Sequence, residues 1–370
     1  MNQSLSPDEL TDRLTAVRQH LAAWDIPAIL ITQPTNRRWL SGFTGSAGSL
    51  LVTADKALLA TDSRYWEQAR AEAPAFSLFR HNRTDEDNLR FLTAVSAATI
   101  GLEADHITLS EADRLKMITS ITWVPISPSL ETLRYHKTAG ELANIRAAAA
   151  ITDQVMGLVP QLARPGMTER ALAWELEKAM REAGAESTAF DIIVAGGPNA
   201  ALPHHHPGER PLQPNEPLLV DMGAQVNGYK SDLTRTFFLG AEPDAQFQAI
   251  YAVVQAAQTA VRQHARPGQN GNQVDALARE VIQQAGYGEN FGHGLGHGLG
   301  LDIHEGPFFT FTPNGRRYSL AVGMVVTVEP GIYLPGWGGI RLEDLFLVTE
   351  TGLEAISQCA ATAVITVAET

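Results

Sequence analysis

The sequence predicts two domains, a smaller α/β domain followed by a larger α+β one. Three observations carry that expectation. The chain has 370 residues, and at ~100–200 residues per domain this length accommodates two cores. Up to Pro128 helical and strand patterns alternate singly, the order of an α/β domain. Beyond it, pairs of helices alternate with groups of strands, which is an α+β order rather than a regular βαβ array. The domains are therefore expected at 1–128 and 138–370, joined by a linker at 129–137 that follows Pro128 and carries Arg134, His136 and Lys137.

Each element has a local cause. Ser6-Pro7-Asp8-Glu9 reads as a helix start, with Ser6 as cap, Pro7 where a missing N–H costs nothing, and Glu9 closing a capping box. That helix runs to Trp24, and the apolar Ala28–Ile31 then reads as a buried strand. Ser49–Thr53 and Ala57–Thr61 form a hairpin about Asp55-Lys56. In the second half helices are expected at Ala139–Leu162 and Thr168–Ala183, divided by the breaker Arg164-Pro165-Gly166. Strands follow at Asp191–Ala195, Pro217–Gly223 and Asp232–Leu239, then helices at Ala245–His264 and Asn272–Ala285. The last strands are expected at Met324–Glu329, Ile340–Val348 and Ala363–Val367.

Composition excludes whole classes of function. With 44% hydrophobic and 19% charged residues the chain is globular rather than disordered or fibrous. Its net charge of −13 would repel phosphate backbones and anionic membranes, so neither nucleic acid nor a membrane is an expected partner. The lone cysteine, Cys359, has no internal partner, which fits a reducing compartment. MNQSLSPDELTDRL lacks the basic-then-apolar order of a secretory signal, and no apolar run approaches the ~20 residues of a membrane span. A cytoplasmic protein is expected.

The chemistry concentrates in the second half. In LLVDMGAQVNGYKSDLTRTFFL, Asp221 interrupts a buried strand, and a buried carboxylate is costly unless paired or metal-bound. Asn227-Gly228 signals a hairpin turn. With those residues as the turn, Asp232 lies opposite Gly223, and Asp221 and Asp232 become diagonal neighbours on one face, ~7–8 Å apart along the backbone. In FGHGLGHGLGLDIHE, alternate glycines from Gly292 to Gly300 make a helix unfavourable by ~1 kcal/mol each. They imply an extended segment with one bare face, the other carrying His293, Leu295, His297 and Leu299. Glu329 ends the apolar strand of MVVTVEPGIY, and Arg341 and Glu343 alternate with Ile340, Leu342 and Leu345 in GGIRLEDLFLVT. Asp221, Asp232, Glu329, Glu343 and His297 make a hard, oxygen-rich donor set. Such a set favours Mn(II), then Co(II), Fe(II) or Zn(II), and four carboxylates neutralise two divalent ions that activate a water molecule. In ALPHHHP, His205 and His206 read as residues of a solvent loop, and Tyr229 as either a substrate contact or a turn-packing ring.

These residues resemble the pita-bread metallopeptidases, specifically the Xaa-Pro branch of aminopeptidase P and prolidase. NRRWLSGFTGSAG (36–48) and TDSRYWEQA (61–69) are similar to that family's N-terminal domain, and HKTAGELANIRAAAAITD (136–153) to the start of its catalytic domain. The ordered strings ALPH, VDMGA, SDLTRTF, HGLGLDIHE, VEPGIY and GGIRLED complete the resemblance. It implies an α+β pita-bread catalytic domain of the creatinase/aminopeptidase kind behind a smaller α/β domain. It implies metal ligation by Asp221, Asp232, His297, Glu329 and Glu343, with Asp232 and Glu343 bridging both ions. His304 would stabilise the tetrahedral intermediate, His293 and His204 would line the proline pocket, and Glu329 would shuttle the proton to the leaving nitrogen. Arg341 would pair with carboxylates beside the last ligand, and Tyr229 stands in a context typical of the family. No ligand position departs from the pattern, which argues against a metal-free relative.

The activity so implied is removal of an N-terminal residue from peptides with proline in the second position, by a homodimer. The alternative is prolidase, limited to Xaa-Pro dipeptides, which requires a cation for the substrate carboxylate; Arg37, Arg38, Arg316 and Arg317 are the candidates. Methionine aminopeptidase fits less well because of the large N-terminal domain. A non-catalytic pita-bread binding module would be marked by lost ligands.

Overall fold

The computed structural model describes residues 7–310, 318–360 and 364–365. The chain divides into two compact units, Met1–Arg134 and Tyr135–Thr370. Ser6, the expected first cap, and Arg316 and Arg317 lie outside the described residues.

The first unit is a six-stranded sheet flanked by helices. Its strands are β1 (Ala28–Ile31), β2 (Ser49–Thr53), β3 (Ala57–Thr61), β4 (Ser77–Arg80), β5 (Thr99–Glu103) and β6 (Thr122–Ile126), in the spatial order β4-β3-β2-β1-β5-β6. The expected hairpin is present as the antiparallel pair β2–β3, while β1, β5 and β6 run parallel. Helix α1 (Pro7–Ala23) precedes β1, and α2 (Pro34–Ser41), α3 (Trp66–Glu72), α4 (Asp85–Thr93) and α5 (Leu109–Ile118) connect successive strands. Phe91, Leu92 and Leu115 of the helices close over Leu30, Leu51 and Leu102 of the sheet. A short helix, α6 (Glu131–Arg134), forms within the stretch read as linker.

In the second unit the helix expected at 139–162 is two, α7 (Ala139–Met156) and α8 (Val159–Leu162), because Gly157 and Pro160 interrupt it. The start of α7 is fixed by a capping box between Thr138 and Glu141. Helix α9 (Glu169–Glu182) follows, then β7 (Ser187–Thr188), β8 (Ile193–Gly196), β9 (Glu216–Met222), β10 (Ala224–Val226), β11 (Tyr229–Lys230) and β12 (Leu233–Leu239). Asn227 and Gly228 both adopt positive φ, 48° and 80°, the conformation of a two-residue hairpin turn. The register pairs Val226 with Tyr229 and Asp221 with Thr234, so Asp232 falls opposite Gly223 as the turn demands.

Helices α10 (Ala245–His264) and α11 (Gly271–Gln284) pack side by side. Phe247, Ile250, Val254, Ala257 and Val261 form a buried stripe on α10, and burying each larger side chain contributes ~1.5–3 kcal/mol. That stripe joins the core under a five-stranded sheet of β13 (Gly296–Gly298), β14 (Glu305–Phe309), β15 (Val325–Val328), β18 (Asp344–Thr349) and β19 (Gly352–Ala355). The strand expected at 340–348 is two strands of different sheets. A hairpin of β16 (Gly331–Leu334) and β17 (Gly338–Arg341) ends before Glu343, and β18 begins after it. The last strand described is β20 (Val364–Ile365), parallel to β12.

Candidate metal centre

Five strand ends converge on one cavity of about 600 Å³ in the second unit. Asp221 comes from β9, Asp232 from the residue before β12, and His297 from β13. Glu329 follows β15, and Glu343 occupies the break between β17 and β18. All five line the cavity, as do Arg341, His204, His293 and His304. Tyr229 does not. Its hydroxyl donates to Glu141 Oε1 at 2.9 Å, and the residue packs beside the hairpin turn.

The glycines of 292–300 do what a bare face allows. A Cβ on Gly296 would stand 2.3 Å from the carbonyl oxygen of Thr327, and one on Gly298 2.2 Å from that of Gly306. Only glycine lets β14 and β15 close on β13 from both sides. A bulge between His297 and Gly298 interrupts the strict alternation; Leu295 and Leu299 are fully buried, while His293 and His297 reach the cavity.

Asp232, His297 and Glu343 each offer a donor atom within 4.8 Å of the others, the arrangement needed to hold a metal ion. Glu329 Oε1 lies 3.5 Å from His297 Nε2, and Asp232 Oδ2 lies 3.7 Å from it. His297 Nδ1 faces the carbonyl oxygen of Gly298 at 3.0 Å, so Nδ1 carries the proton and Nε2 presents its lone pair to the carboxylates. Asp221 and Glu343 are each held by one oxygen only. Arg341 Nη2 donates to Asp221 Oδ2 at 2.7 Å, and Thr234 Oγ1 donates to Glu343 Oε2 at 2.6 Å. Their other oxygens, Asp221 Oδ1 and Glu343 Oε1, are buried without a hydrogen-bond partner. Orphaned carboxylate oxygens at such depth are a cost that a cation would remove, so the donor set fits divalent metal.

The titration behaviour has the same cause. Burial, reinforced by the charges of Glu343, Asp221 and Glu329, pushes Asp232 well above the usual carboxylate range. Burial with Glu329 and Asp221 does the same to Glu343. Burial raises Glu329 to about 8, against the opposing pull of Arg341. The imidazoles move the other way: burial lowers His293 and His297 to about 4 each, and lowers His304. All three are neutral near pH ~7.

Several contributors were not singled out in the sequence. Thr327 Oγ1 accepts from His297 N at 3.0 Å, tying β15 to the histidine. Tyr333 Oη accepts from Arg341 Nη1 at 3.0 Å and meets His293 Nε2 at 2.8 Å. His293 Nδ1 faces the carbonyl oxygen of Gly294 at 2.7 Å, so the tyrosine is the donor in that pair. His205, read as a solvent-loop residue, is instead bound to the fully buried Glu169. The VEPGIY string holds a signal for Tyr333, four residues beyond Glu329; nothing local signals Thr327 or Glu169. Arg37, one candidate for holding a substrate carboxylate, is buried in the first unit and donates to the carbonyls of Gly48 and Gly45.

Comparison with known proteins decides the family. The model of metallopeptidase family M24 matches residues 143–350, and that of the creatinase/prolidase N-terminal domain matches 13–136. The chain belongs to metallopeptidase family M24. Among solved structures, an Xaa-Pro dipeptidase from Bacillus anthracis is 36% identical with a TM-score of 0.92, over 96% of this chain and 99% of that one. An X-Pro aminopeptidase from Thermotoga maritima is 34% identical with a TM-score of 0.86, over 95% and 99%. The Xaa-Pro dipeptidase of Pyrococcus furiosus is 32% identical over 94% of this chain and 98% of its own length. The M24 chain described here is thus an Xaa-Pro-type metallopeptidase, with the pita-bread fold preceded by a creatinase-type domain. The family implies divalent metal ions at the centre. No described helix is long and apolar enough to cross a membrane.

Proposed function

We propose that this M24 enzyme is an Xaa-Pro aminopeptidase, which releases the N-terminal residue of peptides with proline second. The observation that carries the reading is the pair of buried, partnerless carboxylate oxygens on Asp221 and Glu343, two residues that line a cavity of about 600 Å³. That volume lies within the ~300–1,000 Å³ of small-molecule sites.

Asp221, Asp232, His297, Glu329 and Glu343 would hold two divalent ions, Mn(II) by preference and otherwise Co(II), Fe(II) or Zn(II). Bound there, the ions supply Lewis acidity and a water of lowered pKa. The chain's own residues do the rest. The acidic end of the cavity attracts the peptide's free ammonium group. Phe190, Ile193, Ile303 and Phe308 give the cavity an apolar wall for the proline ring. His304, neutral and near the metal-site residues, donates to the oxyanion formed when water adds to the carbonyl carbon before proline. Glu329 takes the water proton and delivers it to the proline nitrogen as the C–N bond breaks. His204 and His293 border the substrate, His293 being held by Tyr333. Glu329→Gln tests the proton transfer: turnover should fall while metal occupancy persists, and full turnover with full occupancy would rule the role out.

Arg341 is committed to Asp221, Tyr333 and Thr234, which favours a role in holding the centre. The Xaa-Pro dipeptidase reading is favoured by the names of the Bacillus anthracis and Pyrococcus furiosus relatives. Manganese-loaded enzyme offered an Xaa-Pro dipeptide and its Xaa-Pro-Yaa extension separates the two. Faster cleavage of the tripeptide supports the aminopeptidase; cleavage of the dipeptide alone makes the enzyme a prolidase. A cytoplasmic homodimer is part of the same proposal, and light scattering of the purified chain tests the dimer.

A further inference from the structure

Glu169 is the first residue of α9 and has no exposed surface. Its Oε1 accepts from Gly196 N and from Asn199 Nδ2, each at 2.9 Å. Its Oε2 accepts from His205 Nε2 at 2.8 Å and from Gly208 N at 3.2 Å. One carboxylate therefore gathers both ends of the segment 196–208, and His204 sits between the two pairs of donors. Burial alone would raise this carboxyl, but the donors of Gly196, His205, Asn199 and Gly208 together hold it below its ordinary value, so it stays ionised.

The opposite side of the same segment is closed by backbone. A Cβ on Gly339 would meet the carbonyl oxygen of Ala200 at 2.1 Å, so β17 packs directly against the backbone at Ala200, and Arg341 Nη1 donates to the carbonyl of Pro203 at 3.3 Å. Between these two anchors the chain at 203–205 has little freedom, and His204, itself exposed, lines the cavity beside His205 and His206. Glu169 itself does not line that cavity. We propose that Glu169 is the positioning residue for His204: its carboxylate fixes the 196–208 segment and so sets where that imidazole stands over the substrate. The proposal rests on the Xaa-Pro reading above for its kinetic arm only.

A double-mutant cycle on the manganese-loaded full chain tests it, with an Xaa-Pro-Yaa tripeptide. Glu169→Gln should lower kcat/KM by about 10–100-fold, the scale of a displaced positioning contact, with metal occupancy unchanged. In a His204→Ala background the same change should cost almost nothing further, because the residues act as a unit. His205→Leu should reproduce part of the loss, and His205→Gln, whose amide can donate in place of Nε2, should restore it. The histidine pair carries the test if Glu169→Gln does not fold. An independent arm follows the His204 imidazole resonance in zinc-loaded protein: Glu169→Gln should shift it while His264 on α10 stays fixed. An equal loss of kcat/KM with and without His204, or an unmoved His204 resonance, overturns the proposal. If wild-type enzyme cleaves no Xaa-Pro substrate, the functional reading fails, and the resonance alone decides the role of Glu169.

Discussion

Arg341 holds Asp221 by one oxygen, Nη2 to Oδ2 at 2.7 Å, and leaves Oδ1 buried and unpartnered. The guanidinium thereby fixes the orientation of a buried carboxylate whose residue lines the cavity. The same fork reaches Tyr333 and Thr234, and Thr234 in turn holds Glu343. One arginine organises two of the five candidate ligands and, through Tyr333, His293.

Replacing the fork by a point charge should therefore be costly. Arg341→Lys keeps the charge but cannot hold Asp221, Tyr333 and Thr234 together. Metal affinity should fall by about 10–100-fold, as for other residues that orient ligands. Competition with a chelating dye measures it, and unchanged affinity would show that Asp221 needs no orientation.

Metal removal should change how stability responds to pH. In the metal-free chain Glu329 titrates at about 8 instead of its ordinary 4.5, and Asp232 and Glu343 shift in the same direction. The folded state then binds more protons than the unfolded one. Stability is greatest below the unfolded value and falls as pH rises toward the folded one. From about pH 7 to about pH 9, above the range in which the lowered His293 and His297 oppose the trend, the melting temperature of stripped protein should fall by roughly 2–5 °C. Loading with manganese should flatten or reverse the slope. Calorimetry of both forms checks the sign, and stripped protein that gains stability over this range would contradict it.

The glycines of the 292–300 segment should not be equivalent. Gly296→Ala drives a methyl against the Thr327 carbonyl and hydroxyl, 2.3 and 2.8 Å away. Thr327 is the residue that holds His297 N. A loss of about 1–3 kcal/mol is expected from overpacking, together with weakened metal binding. Gly292→Ala meets nothing within 4 Å and should change stability by less than about 0.5 kcal/mol. Denaturation midpoints of the two variants should separate clearly; equal midpoints would mean that β13 can move off β15.

Much of this was legible in the sequence, for identifiable reasons. Asn227-Gly228 fixes its own turn, and the turn fixes the register, so the placement of Asp232 opposite Gly223 follows from two residues. Alternating glycines announce close backbone approach, and His297 stands where that approach occurs. What was not legible depends on contacts distant along the chain. Glu343 breaks what looks like one strand, and Thr234, on another strand, holds both its carboxylate and its N–H. Tyr229 resembles a site residue in its local string, yet Glu141 claims its hydroxyl. His205 looks solvent-bound until Glu169, far upstream, is placed beside it.

The most direct test of the account is a joint measurement of bound manganese and turnover of an Xaa-Pro-Yaa tripeptide, as the metal-stripped chain is titrated. Activity should be absent without metal and reach its maximum as the second ion per chain is bound, and Glu343→Gln should abolish both. Full activity in the stripped chain, or undiminished metal binding in Glu343→Gln, would contradict a two-metal centre built on these residues.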